Sequence, residues 1–180
     1  MSPIKEISIS VRTPVRASFQ SFGELDVDYA AIAAPGGYAA MLRGGYDGEN
    51  VNADIAPGRF PVGGEGAVRL EVALLGFDRS VSSKTVVKTA GSIDAERPWS
   101  VAGIAPLCAF GAKNPDEQRK HWIVGLGSVG QVGGFRYVPV LYRYDAERRL
   151  RLYGWARVWD GGYRFLLVRN ASKLGVQASA

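Results

Sequence analysis

The clearest structural signal in the chain is FRYVPVLYRYDAERRLRLYGWARVWDGGYRFLLVR, residues 135–169. Aromatic and β-branched residues recur here in three runs, at 135–144, 148–159 and 163–169, joined by short polar linkers. Such runs are typical of β-strands, and the second linker, Asp160-Gly161-Gly162, is of the Asp-Gly type that closes hairpins. The segment therefore predicts a C-terminal antiparallel meander of three strands.

Strand patterns continue toward the N-terminus. Single strands are predicted at 6–12, 68–77 and 84–90. A further pair of strands, at 100–110 and 121–129, flanks a polar loop. Residues 24–34 fit either a strand or a short helix. With 23 Gly and 9 Pro among 180 residues, short strands and turns are favoured over long helices. Roughly nine to eleven strands in a single domain over 1–180 predict an all-β fold, a two-sheet β-sandwich or jelly-roll-like domain.

The composition is that of an ordinary globular protein, with 47% hydrophobic and 22% charged residues. One cysteine excludes an internal disulfide, and the start MSPIKEISISV lacks the pattern of a signal peptide. The longest apolar stretch, residues 29–42, is interrupted by Pro35-Gly36-Gly37 and is too short to cross a bilayer. We therefore expect a cytoplasmic or virion protein without a transmembrane segment.

Charge is distributed unevenly along the chain. Residues 1–90 contain 9 Lys and Arg against 10 Asp and Glu, whereas residues 91–180 contain 13 against 7, which together give the net charge of +5. Most of the basic excess is arginine after residue 135. A basic half of this kind favours an acidic partner, either a protein surface or nucleic acid.

Alternation along 148–159 sorts its residues onto two faces. The even positions are small or apolar and predict a core face, while the odd positions are arginine, tyrosine and tryptophan. A turn centred on Ala146-Glu147 would place Tyr144 opposite Arg149, and the second turn would place Arg164 opposite Trp159. The predicted interaction set on this face is Arg136, Tyr142, Tyr144, Arg149, Arg151, Tyr153, Trp155, Arg157, Trp159 and Arg164.

Three interpretations of this set stay open. Tyr, Trp and Arg are enriched at the centres of protein interfaces. Arginine and aromatic planes also stack bases on single-stranded nucleic acid, or sugar rings in a carbohydrate-binding module. The third interpretation is a partly exposed sheet face with internal cation–π pairs. Among the functional interpretations, a protein interface is favoured over nucleic acid, because no recognised nucleic-acid-binding motif is present.

The only cysteine and the only histidine lie in LCAFGAKNPDEQRKH, residues 107–121. If this stretch is a hairpin with Asn114-Pro115 at its tip, Cys108 and His121 face each other with Cβ atoms about 4.5–5.5 Å apart. An imidazole at that distance can activate a thiolate nucleophile. The pair resembles the catalytic Cys and His of the cytotoxic-necrotizing-factor-like glutamine deamidases, although family members carry a small residue and Gly just before the Cys, where this chain has Pro106-Leu107.

A glycine-rich run at 124–134 contains a literal G-x-G-x-x-G at residues 125–130. A dinucleotide site requires a helix directly after this motif, whereas the residues that follow lead into another strand. We interpret these glycines as turn residues and points of close backbone approach. A single Cys and a single His do not supply a typical structural zinc site, and we expect neither a metal nor a cofactor.

These observations favour a non-enzymatic structural subunit that uses the predicted set as a protein interface. A capsid-associated or tail protein of a phage or virus particle is the most specific version, with other protein subunits as partners. The alternatives are a Cys–His enzyme acting through Cys108 and His121, and a carbohydrate- or nucleic-acid-binding β module.

Overall fold

A computed structural model of the chain describes residues 4–9 and 15–171. The strands are β1 Lys5–Ile9, β2 Val15–Asp28, β3 Ala67–Phe77, β4 Val81–Ser82, β5 Ser100–Val101, β6 Trp122–Val124, β7 Gly130–Val132, β8 Phe135–Tyr144, β9 Glu147–Gly154, β10 Val158–Trp159 and β11 Tyr163–Asn170. The helices are α1 Tyr29–Ala33, α2 Gly37–Leu42, α3 Ser83–Ser92, α4 Ile104–Lys113 and α5 Glu117–Lys120, with a 3₁₀ turn at Arg43–Gly45. None of these helices is long and apolar enough to cross a membrane.

Nine of the strands in the described part of the chain form one mixed sheet. β1, β2, β3 and β11 are neighbours in antiparallel order, and β6 joins β11 in parallel. β8 pairs with β6 and β7 along one edge and with β9 along the other, while β5 pairs with β11. β10 and β4 form a separate two-stranded sheet. The prediction of a strand-rich fold is confirmed, and its strands join mainly into one large sheet.

Both faces of the large sheet are buried, each against a different helix. Val72 and Leu74 of β3 point into a core with α4, which we call the first face. Ala73 and Leu75 alternate with them and point into a core with α3, the second face. Successive side chains of a strand point to opposite sides, so a strand buried on both faces reads as a continuous apolar run. The segment 70–75 is such a run, LEVALL.

Two segments predicted to be strands are helices. Residues 84–90 belong to α3, which begins at the N-cap Ser82 and buries Val86 and Ala90, one helical turn apart. Residues 104–110 belong to α4, which is apolar around most of its circumference because it packs inside the first-face core. The periodicity of apolar residues alone does not distinguish a short buried helix from a buried strand. The hairpin with Asn114-Pro115 at its tip is therefore wrong.

The C-terminal meander is correct for its first two strands only. β8 and β9 form the predicted hairpin, but the loop is Asp145-Ala146, so Tyr142 rather than Tyr144 pairs with Arg149. The observed pairing register differs from the predicted one by two residues, and an even difference leaves every side chain on its predicted face. The third strand, β11, does not pair with β9 and lies between β3 and β6 instead. Its apolar run Phe165–Val168 is suited to a central strand that is covered on both faces.

A β-bulge reverses the facing of β2. The pairing with β3 shifts between Ser21 and Glu24, and Gly23 adopts a φ of +75° there.

The ambiguous segment 24–34 contains both elements, since β2 ends at Asp28 and α1 follows it. At the N-terminus, β1 confirms a strand over part of 6–12, whereas residues 10–12 lie outside the described residues.

Candidate functional site

The hairpin β8–β9 presents a basic and aromatic patch on the second face of the sheet, beyond the area that α3 covers. Alternation places its even β8 residues and odd β9 residues on this side, since Val138 and Val140 belong to the second-face core. We call the patch the arginine surface. Its members are Trp122, Arg136, Tyr142, Tyr144, Arg149, Arg151, Tyr153, Trp155 and Arg157.

Guanidinium groups on the arginine surface lie over aromatic rings. The Cζ atom of Arg149 is 4.8 Å from the ring centre of Tyr144, and that of Arg136 is 5.5 Å from Trp155. Arg157 lies 5.1 Å from the ring centre of Tyr153. These distances are within the range of cation–π attraction, which holds the flexible arginine side chains in defined positions.

Trp122 is the aromatic centre of the patch. Its ring stacks on Tyr142 at 4.6 Å and meets Tyr153 and Tyr163 edge-on at 5.6 Å each. Tyr163 is buried beneath the patch, and burial raises the pKa of its phenol. Trp122 itself remains 36% exposed, so a rigid aromatic cluster reaches the surface between the arginines. Rigid aromatic groups beside arginine are the typical anchors of protein interfaces.

The arginine surface has little acidic compensation. Among the described residues, Arg136, Arg151 and Arg157 form no salt bridge, and the nearest carboxylate oxygen to Arg149 is 3.9 Å away, on Glu147. The Nε of Arg149 is buried without a hydrogen-bond partner. Four guanidinium groups opposite one carboxylate leave this patch strongly positive, which favours an anionic partner.

Arg97 and Arg169, by contrast, are paired with carboxylates. Arg169 binds Glu71 at 2.6 Å and Asp94 at 2.7 Å and lies 4.3 Å from the ring centre of Trp99, while Arg97 binds Glu71 from the other side at 2.7 Å. Burial opposes ionisation of Glu71, yet the two arginines outweigh it and hold the pKa of this carboxyl below its ordinary value. The arginine surface differs from this region, where each guanidinium group has a carboxylate partner within 2.7 Å.

Two members of the predicted set lie elsewhere. Trp159 is fully buried in the second-face core, and its indole Nε1 donates to Ser83 Oγ at 2.9 Å. Its strand β10 pairs with β4, so the predicted pairing with Arg164 is wrong. Arg164 points to the first face beside Gly76 and donates to the carbonyl oxygens of Gly161 and Tyr163. Both changes follow from the chain leaving the hairpin after β9.

Sequence reasoning missed Trp122 and Tyr163. Each begins a strand, β6 and β11 respectively, and these two strands pair in parallel with Tyr163 opposite Trp122. A parallel pair of this kind joins segments that are far apart in sequence, so no local pattern indicates it. The only available signal was alternation within HWIVG, which places Trp122 and Val124 on one side.

Cys108 and His121 do not form the predicted opposed pair. Cys108 is a buried residue of α4 whose Sγ lies beside the Gly45 backbone, and burial raises the pKa of its thiol to about 12. His121 follows α5 and is half-buried, and burial together with the charge of Arg164 lowers its pKa. Nucleophilic catalysis requires an accessible thiolate, so Cys108 is a core side chain in this fold.

The glycines of 124–134 serve close approach and turns, as interpreted from the sequence. A Cβ on Gly130 would lie 2.4 Å from the ring of Phe60, and one on Gly127 would lie 2.5 Å from the Val101 carbonyl oxygen. Gly133 and Gly134 take φ values of +56° and +84° in the turn between β7 and β8. The G-x-G-x-x-G match is followed by β7.

Comparison with known proteins returned no matching family model, no matching curated protein and no matching solved structure.

Proposed function

We infer that this protein is a non-enzymatic assembly subunit that docks on other protein subunits through the arginine surface. The observation that carries this proposal is a set of four arginines on one sheet face: three lie over aromatic rings, and among the described residues only Arg149 has a carboxylate within 4 Å. A subunit of a phage or virus particle is one specific case of this proposal.

Carboxylates on a protein partner fit the arginine surface better than nucleic-acid bases do. Base stacking requires open aromatic faces. Here Tyr142 faces Trp122, while Tyr144, Tyr153 and Trp155 each face a guanidinium group. Each guanidinium group carries five N–H donors, and these match carboxylate oxygens in bidentate geometry.

The stacking also supports binding by reducing its entropic cost. An arginine side chain that is free in solution loses rotamer freedom when a partner docks. The rings of Tyr144, Tyr153 and Trp155 already restrict three of the guanidinium groups before docking. A preorganised patch of this kind gains more affinity from each new ion pair than a patch of freely rotating arginines does.

The proposal is tested with two labelled anions of equal length, a glutamate decapeptide and a thymidylate decanucleotide, by fluorescence anisotropy at low and moderate salt. We expect the peptide to bind, with affinity that falls as salt screens the charges. The double variant Arg149→Ala/Arg151→Ala should weaken peptide binding at least about tenfold, since hydrogen bonds to charged groups are lost.

The matched control is Arg43→Ala/Arg143→Ala, which removes two exposed arginines outside the arginine surface and should leave binding unchanged. Equal weakening by the control would overturn the proposal, because the interaction would then follow net charge alone. Tighter binding of the decanucleotide, lost in Arg149→Ala/Arg151→Ala, would replace the protein-docking proposal by nucleic-acid binding.

A further inference from the structure

The second face of the sheet carries an acidic row at the far side from the arginine surface. Glu24, Asp26 and Asp28 occupy alternate positions of β2 after its bulge, and all three are exposed. Leu25 and Val27 alternate with them and are buried in the first-face core. The three carboxylates therefore point to the second face, the same side as the arginine surface.

The bulge at Gly23 creates this placement. Before it, Ala17 of β2 points into the second-face core; after it, the odd residues point to the first face. One inserted residue reverses the facing of all later side chains of the strand. Without the bulge, the carboxylates would face α4 and the apolar residues would face solvent.

The acidic row and the arginine surface match in spacing and in charge. Residues two apart in a strand lie about 6.5–7 Å apart, and this holds for Glu24, Asp26 and Asp28 as it does for Arg149 and Arg151. The row retains a net negative charge: within residues 4–9 and 15–171, the salt bridges to its three carboxylates come from Arg69 alone, which lies 2.8 Å from Asp26 and 3.7 Å from Glu24. Both side chains of that salt bridge are largely exposed, so the salt bridge contributes little to stability. Asp26 can therefore exchange Arg69 for an arginine of a partner.

One chain cannot bring the two patches together. β3, β11 and β6 separate β2 from β8, and four strand spacings amount to about 19 Å. Helix α3 also stands between them, because it packs on β3 and β11 in the second-face core. Within one chain, the two patches therefore do not compensate each other.

We propose that the partner of the arginine surface is the acidic row of a second copy of this chain. This inference rests on the proposed function of the arginine surface. The arginine surface and the acidic row are different surfaces of the chain, so a contact between them is heterologous. The contact is therefore head-to-tail, and such an interface repeats into an open chain of subunits.

The test uses two complementary charge reversals. Arg149→Glu/Arg151→Glu reverses the arginine surface and Glu24→Lys/Asp26→Lys reverses the acidic row; Asp28 is left intact because its carboxylate caps α1. The molar mass of each protein is followed by light scattering across a concentration series at low salt. Wild-type mass should rise with concentration and fall with added salt, and each variant alone should stay a monomer.

An equimolar mixture of the two variants distinguishes this proposal from others. One variant then carries two acidic patches and the other two basic patches, so each contact in the mixture joins opposite charges and the mixture should assemble as the wild type does. A single chain carrying all four reversals should assemble as the wild type does. The control Glu49→Lys/Asp116→Lys changes two exposed carboxylates that lie outside β2 and its partner strands and should also assemble.

Two results would overturn this inference. The first is a wild-type protein that stays monomeric at every concentration, and the second is assembly that survives either reversal. If the glutamate decapeptide still binds the arginine surface in that case, the proposed function stands and the partner is a different acidic protein. Circular dichroism and thermal melting of each variant confirm that the fold is retained.

Discussion

Arg148 of β9 donates hydrogen bonds to Asp47 from both its backbone amide and its side chain. The amide N–H donates to Asp47 Oδ2 at 2.9 Å, and the guanidinium Nε donates to Oδ1 at 3.0 Å. The same guanidinium donates to the carbonyl oxygens of Gly44 and Gly111. The pair thus ties the loop after the 3₁₀ turn and the end of α4 to the edge strand that carries the arginine surface.

Asp47→Asn should lower stability in a pH-dependent manner. Burial of Asp47 alone would raise its pKa, but hydrogen bonds from Arg148 outweigh it and the pKa lies below its ordinary value. Because the folded pKa is lower than the unfolded one, this stabilisation is complete above about pH 4 and is lost as the pH falls through the folded pKa. Since the carboxyl is partly exposed, we expect a loss of about 1–2 kcal/mol at pH 7.

Urea unfolding of wild type and Asp47→Asn at pH 7 and pH 3 measures this effect. The difference between the two proteins should shrink at pH 3. Asp145→Asn, in the turn of the β8–β9 hairpin, serves as the control and should change stability little at either pH. A difference for Asp47→Asn that is the same at both pH values would contradict the prediction.

Gln118 should be a stability determinant despite lying in a polar loop sequence. It is 1% exposed, and its Nε2 lies 2.8 Å from the carbonyl oxygen of Gly45, 3.1 Å from that of Tyr142 and 3.0 Å from that of Arg149. Gln118→Met keeps the volume and removes the donor, so we expect a loss of about 1–3 kcal/mol. Gln118→Ala adds a cavity and should cost more.

Denaturant titration of both variants checks this, with the exposed Gln131→Ala as the control. Equal stability of Gln118→Met and wild type would show that the three carbonyl groups find water instead. In that case, a loss of stability seen only in Gln118→Ala would come from the cavity left by the smaller side chain.

Truncation of Trp159 should mainly lower stability, whereas truncation of Trp122 should lower stability less and also weaken binding. Trp159 is fully buried and packs edge-on against Tyr163 and Phe165 at 5.0 and 5.8 Å, so Trp159→Ala should destabilise the fold by about 3–5 kcal/mol. Trp122→Ala should cost about 1–2 kcal/mol through lost ring contacts and should weaken binding of the glutamate decapeptide.

Thermal melting and anisotropy on the same protein preparations measure the two effects. The assignment of Trp122 to the arginine surface fails if its alanine variant binds the decapeptide as wild type does. The assignment of Trp159 to the core fails if its alanine variant melts close to the wild-type temperature.

Cys108 should be chemically inert in the folded protein. Its pKa of about 12 leaves almost no thiolate at neutral pH, and the side chain is inaccessible. A disulfide reagent at pH 7.5 should react only when the protein unfolds, with a rate that rises steeply in urea. Reaction of native protein at the rate of the unfolded chain would restore the cysteine as a candidate nucleophile.

Local patterns were sufficient for the elements whose contacts lie nearby. Alternation identified β3 and the β8–β9 hairpin, and it assigned Tyr142, Tyr144, Arg149 and Arg151 to one face even though the loop position was off by two. The run at 104–110 was not resolvable in this way, because an apolar stretch without charges fits a buried helix and a buried strand equally. For 84–90, the N-cap Ser82 and the spacing of Val86 and Ala90 were the signals that favoured a helix.

The amino-acid sequence by itself determined the strand-rich character of the fold, the absence of an internal disulfide, and the arginine and tyrosine side of the β8–β9 hairpin. These follow from composition and from a two-residue period, which are local properties. Only the tertiary structure decided that β11 inserts between β3 and β6, that Trp159 is buried and that Trp122 joins the arginine surface. Strand pairing between distant segments depends on which apolar faces the whole chain can bury together, and no local window of sequence contains that information.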